Sequence, residues 1–157
     1  MMTHKIEDVL RDASTNVLET MFFADAEVAD NEDAVHSDAS ACTLQCSGAE
    51  NGTFSLAIDR IALQNLCSAF YGQDDEPSEA QERELICELT NMLAGSTLSA
   101  YAPEHYCKLS SPLIYDFARH LETKVPNPEE NHTSVNFSLD GGLLSVSCSL
   151  RMVHERT

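Results

Sequence analysis

The segment from Val135 to Leu150 constrains the fold most. Val135, Phe137 and Leu139 alternate with polar residues as far as Asp140-Gly141-Gly142, after which Leu144, Val146, Cys148 and Leu150 alternate with Ser145, Ser147 and Ser149. Side chains on a strand point to opposite faces with a period of two, so the pattern makes two half-buried strands. The Asp-Gly-Gly between them supplies the positive φ that a tight antiparallel hairpin needs. A chain containing this hairpin is not all-helical. Upstream, Phe54, Leu56 and Ile58 alternate with Thr53, Ser55 and Ala57, which predicts strands over residues 41–46 and 52–58 around the turn Ser47-Gly48-Ala49-Glu50-Asn51.

Elsewhere the period is helical. Ile6, Val9, Leu10, Val17, Leu18, Met21 and Phe22 form one apolar stripe, predicting a helix from residue 3 to about residue 23. Asp59 is placed to cap a helix over 60–71, and Gly72 to stop it. Ser78-Glu79-Ala80-Gln81 has the form of a capping box and opens a long helix running to about Ala100. A short strand near 106–109 leads to Ser110-Ser111-Pro112. Residues 25–40 hold six acids without an apolar period and read as an exposed, solvated acidic loop; residues 124–132, with two prolines, read as a second loop. The order is helix, two strands, two helices, a strand, a loop and two strands. Long helices beside antiparallel hairpins make an α+β fold, and 157 residues suit one domain spanning 1–157.

Nine Lys and Arg against 26 Asp and Glu leave a net charge of −17, which argues against nucleic acid and anionic membrane surfaces as partners. No stretch approaches the roughly 18 apolar residues of a membrane-crossing helix, so no membrane insertion is expected. The opening residues have no signal-peptide core, and a cytoplasmic location is expected. Six cysteines, at 42, 46, 67, 87, 107 and 148, include no Cys-x-x-Cys pair and read as free structural thiols. Neither they nor the scattered histidines form a metal site, and no Ser/His/Asp or Cys/His pattern supports an unrelated hydrolase.

The informative segment is Glu84-Leu85-Ile86-Cys87-Glu88-Leu89-Thr90-Asn91-Met92-Leu93-Ala94-Gly95. At about 100° per residue, Glu84, Glu88, Asn91 and Gly95 share one stripe within about 60° of arc, while Leu85, Ile86, Leu89, Met92 and Leu93 take a separate apolar arc. One face is committed to the core, and the other faces water or a partner. From spacing alone, a polar outer face is the ordinary property of an amphipathic helix. Gly95 is the odd member, since a glycine inside a helix costs about 1 kcal/mol relative to alanine. A close approach by another backbone accounts for it, and so does packing alone.

Glu88-x-x-Asn91, followed by Met92 and Gly95, resembles the signature helix of the CheC/CheX/FliY phosphatases, which dephosphorylate the chemotaxis response regulator CheY. The likeness extends over most of the chain. Val17-Leu18-Glu19-Thr20-Met21 resembles the opening helix of CheX proteins, and Gly48-x-x-x-Gly52-Thr53-Phe54-Ser55-Leu56 the hairpin before the middle helix. Phe70-Tyr71-Gly72 resembles that helix's end, and Pro112 the family proline beyond the motif. Each element alone is common; their order and spacing carry the resemblance.

The resemblance implies a CheC/CheX-like fold and a phosphatase acting on the phosphoaspartate of a CheY-type receiver. Asn91 would orient the attacking water, and Glu88 would pair with the lysine that receivers keep beside the phosphate. No cofactor of the protein's own is implied, because the receiver carries the Mg²⁺. Glu84 stands where the family often has Asp or Ser; with Gly95 it is a candidate for partner binding. Pro112 follows Asn91 by 21 residues, slightly nearer than usual, which suggests a shortened loop. CheC-type members repeat the motif on the first helix, but here Asp12-Ala13-Ser14-Thr15-Asn16-Val17-Leu18-Glu19 has carboxamide and carboxylate exchanged. One active site is therefore expected, as in CheX-type proteins, together with a homodimer whose serine-alternating hairpin joins an intersubunit sheet. The alternative is a docking module that binds a receiver or flagellar-switch protein without hydrolysis.

Overall fold

The computed structural model describes residues 2–30, 34–36, 38–103, 106–116 and 131–152. In chain order they form α1 (Met2–Met21), β1 (Glu27–Val28), β2 (Ser40–Gly48), β3 (Glu50–Ile58), α2 (Arg60–Tyr71), α3 (Glu79–Tyr101), β4 (Cys107–Leu109), β5 (Leu113–Asp116), β6 (Asn131–Leu139) and β7 (Gly142–Met152). The strands make one antiparallel sheet in the order β1-β6-β7-β3-β2-β4, with β5 also on β2, so the fold is α+β as the patterning requires.

Register follows from the alternation. Phe54 lies opposite Cys148, Leu56 opposite Val146 and Phe137 opposite Leu144, so the apolar positions of three strands meet on one face. That face packs on Ile6, Leu10 and Leu18 of α1, on Phe22 just beyond it, and on Leu85, Ile86, Leu89 and Leu93 of α3. The serines pair with one another on the opposite face, Ser55 opposite Ser147 and Ser134 opposite Ser147. Gly52 permits the close β3–β7 approach, because a Cβ there would collide with the Ser149 carbonyl.

The outer edge of β2 is shared. β4 pairs with Cys46–Gly48 and β5 with Ser40–Thr43. Between them Ser110 donates its N–H to the Gln45 carbonyl (2.8 Å), and its hydroxyl accepts from the Gln45 N–H (2.9 Å). Pro112 sits in this interruption, where a missing N–H breaks no ladder bond.

Several expectations need correction. The first hairpin's strands run further than 41–46 and 52–58, leaving a turn at Ala49 alone. Residues 25–40 are not simply a solvated loop. Glu27–Val28 pair with Ser138 and Phe137 as an edge strand, and Val35 and Ala39 are buried against Ala41 and Ala57. β5 has no counterpart in the sequence reading. The loop placed at 124–132 lies outside the described residues except for Asn131 and His132, which begin β6. Within the C-terminal hairpin, β7 is flanked by β3 and β6, while the outer side of β6 pairs with β1 only at Phe137 and Ser138. All six cysteines are free thiols, and burial pushes Cys42 and Cys67 up to about 11 and Cys148 to about 12, which keeps them protonated and inert.

Asp59 occupies the N-cap position of α2, but its carboxylate does not cap that helix. It accepts from the backbone N–H of His36 (2.7 Å) and of Leu143 (2.8 Å), and it pairs with the His36 ring at 3.0 Å. One side chain thus ties His36 and the β6–β7 hairpin to the start of α2. Burial alone would raise its pKa, but these donors more than offset that and hold it below its ordinary value of 3.8.

Candidate functional site

The position of α3 is set at its first turn. Gln81 donates its N–H to Ser78 Oγ (3.1 Å), and Gln81 Oε1 accepts from the Ser78 N–H (3.0 Å), closing the capping box. Leu85, Ile86, Leu89, Leu93, Ala94 and Leu98 are buried, and Met92 packs partly against the same core. Thr90 fits within this face because its hydroxyl donates to the Ile86 carbonyl at 2.7 Å.

With the apolar arc held inward, the opposite stripe faces out. Glu84, Glu88 and Asn91 are exposed and Gly95 is half-buried. The helical period therefore places the four candidates on one outward stripe of one helix. Neither Glu88 nor Asn91 has a hydrogen-bond or ion-pair partner among the described residues. No close approach to Gly95 comes from the described residues: a Cβ there would meet none of their atoms within 4 Å.

One neighbour escaped the sequence reading. The Tyr71 hydroxyl at the end of α2 donates to Glu84 Oε1 at 3.2 Å. In the sequence Tyr71 only marks a helix end; its partner is 13 residues away and is brought there by α2–α3 packing. Behind the motif helix, the Cys42 thiol meets Thr90 and Cys87.

The stripe can offer two carboxylates and one carboxamide to a partner. Carboxylates accept hydrogen bonds only, whereas the carboxamide both donates and accepts, so the set suits a cation beside a water. No group of three or more His, Cys, Asp or Glu able to hold a metal ion comes together among the described residues. No described helix is long and apolar enough to cross a membrane.

Helices on one face of an antiparallel sheet, with an outward Glu-x-x-Asn stripe, define the class. The family "Chemotaxis phosphatase CheX" matches residues 40–133, which include both the stripe and the first hairpin. The chain belongs to this family of chemotaxis phosphatases. Its fold is similar to that of the chemotaxis protein CheX from Vibrio vulnificus, with a TM-score of 0.76 at 15% identity, covering 94% of this chain and 97% of that one. CheX from Desulfovibrio desulfuricans aligns with a TM-score of 0.70 at 18% identity, covering 94% of this chain and 99% of that one. The CheX chain of the CheX-CheY-BeF3-Mg²⁺ complex from Borrelia burgdorferi also gives 0.70, at 16% identity, covering 92% and 96%. No curated protein sequence matches the chain.

Proposed function

We propose that this protein accelerates hydrolysis of the phosphoaspartate of a CheY-type receiver, with Asn91 orienting the attacking water and Glu88 binding the receiver lysine. The observation that carries the reading is the outward, unpartnered display of Glu88 and Asn91 on a helix whose other face is locked in the core. The family's phosphatase description and the Borrelia burgdorferi relative's complex with CheY support the choice of substrate and partner.

An acyl phosphate is already reactive, so catalysis consists mainly of placing a water in line with the leaving carboxylate. The Asn91 amide holds that water through one donated and one accepted bond and is not consumed. Glu88 makes a charge-assisted bond to the lysine ammonium, which fixes the distance of α3 from the phosphoryl group. Mg²⁺ comes with the receiver, where it neutralises the phosphoryl oxygens. Gly95, open on its outward side, lets the receiver backbone approach the helix. The active species is a homodimer, as the family resemblance implies, with one site per subunit on α3.

The test separates the two roles. Decay of a phosphorylated, Mg²⁺-bound receiver is followed over a range of receiver concentrations. Glu88→Gln is expected to raise KM about tenfold, the size of one charge-assisted bond. Asn91→Ala is expected to lower kcat about 100-fold with KM little changed, the cost of a misplaced reactant. A wild-type protein that binds the receiver without hastening its decay would favour the docking-module alternative.

A further inference from the structure

Tyr71 is fixed more firmly than a half-buried surface tyrosine needs to be. Its ring stands edge-on to Phe70 (centroids 5.1 Å, planes 90° apart), and Phe70 stacks on Phe22 at 5.1 Å and 24°. Phe22 is fully buried, so the row of rings runs from the core out to the hydroxyl. Immediately after Tyr71, Gly72 takes the left-handed conformation (φ 63°, ψ 37°) and its N–H returns to the Ser68 carbonyl, which ends α2 and fixes the ring's base. The hydroxyl then donates to Glu84 Oε1 at 3.2 Å. Burial first, and then the Glu84 and Glu88 carboxylates, push the Tyr71 pKa up, so it remains a donor throughout the working pH range.

The bond has a consequence for Glu88. Glu84 and Glu88 stand one helical turn apart, the spacing at which side chains are neighbours and like charges repel. Neither carboxylate has an ion-pair partner among the described residues. Two free glutamates would swing apart; one held by a fixed phenol cannot. An ammonium group carries three donors and can be shared by two carboxylates.

We propose that Tyr71 is a positioning residue: its hydroxyl holds Glu84 beside Glu88 so that the two carboxylates form a prearranged two-point acceptor for a single ammonium on the receiver. This rests on the assignment of Glu88 to the receiver lysine and adds a second carboxylate and its support. Its benefit is preorganisation, because a side chain already immobilised loses little freedom on binding.

The experiment measures Kd and kinetics together for wild type, Tyr71→Phe, Glu84→Gln and the double variant. Kd is read with a CheY-type receiver carrying Mg²⁺ and beryllium fluoride, and kcat and KM with the phosphorylated receiver. Tyr71→Phe keeps every ring contact and is expected to raise Kd and KM about three- to fivefold with kcat unchanged. Glu84→Gln should weaken binding by a similar or larger factor and also flatten its salt dependence, whereas Tyr71→Phe should leave the salt slope as in wild type. Because Tyr71 acts through Glu84, the double variant should match Glu84→Gln alone. Additive losses, or a Tyr71→Phe Kd within about 1.5-fold of wild type, overturn the proposal. The two readings fail separately. A wild type that binds without accelerating decay, while Tyr71→Phe still weakens binding, overturns the catalytic reading and supports the role of Tyr71. A wild type that neither binds nor accelerates overturns both.

Discussion

Asp59 and Glu88 are both carboxylates near helix backbones, yet their surroundings are opposite. Asp59 is 3% exposed, and its two oxygens take up two backbone N–H groups and the His36 ring. Glu88 is exposed and, like Asn91 one turn on, bonds to no described residue. A polar group whose bonding is spent inside the chain holds the fold together, because leaving its donors unmet is costly. A polar group displayed on a rigid helix with nothing to bond to contributes little to stability and stays available to a partner. The difference separates architecture from function without reference to residue type.

The comparison can be broken from either side. The largest change in stability should come from Asp59→Ala, which strands the His36 and Leu143 N–H groups; chemical denaturation should show a loss of about 3 kcal/mol. Asn91→Ala should cost under about 0.5 kcal/mol by the same measurement, despite the large loss of rate expected of it. A reversal of these two results would mean that exposure and bonding do not sort the residues. Gly95→Ala comes next and sharpens the functional side. It should stabilise α3 by about 1 kcal/mol in thermal unfolding, since its Cβ meets no atom of the described residues within 4 Å, while weakening receiver binding. Unchanged affinity would show that no partner backbone approaches there.

The smallest effect is in pH. The Asp59 pKa is lower in the folded chain than its ordinary 3.8, so its stabilisation is fully present above 3.8. It fades as pH falls below 3.8 through the folded value. Asp59→Asn should remove this part of the acid dependence, which denaturant titrations between pH 5 and 2 would detect as a flatter stability curve (roughly the window over which carboxylates titrate).

What the sequence revealed and what it hid divide along the same line. The α3 stripe was legible because a helical period assigns faces without knowledge of neighbours, and the capping box fixed where that helix begins. The two hairpins were legible because alternation with a Gly-containing turn sets both face and register. Two short strands, β1 and β5, were not. Glu27–Val28 is two residues long, and Leu113–Asp116 is four, so each exists only because a neighbouring strand offers an open edge. Asp59 looked like a helix cap because caps are local, while its actual donors lie 23 and 84 residues away. Tyr71 was missed for the same reason: its hydroxyl finds Glu84 only after α2 packs against α3.

The most direct test is single-turnover phosphate release from a phosphorylated CheY-type receiver held at saturating concentrations of this protein, wild type against Asn91→Ala. Binding of both is confirmed in the same titration. The account predicts that wild type hastens release and that Asn91→Ala, bound equally well, falls about 100-fold short of it. Equal release from the two proteins would contradict the assignment of the water to Asn91.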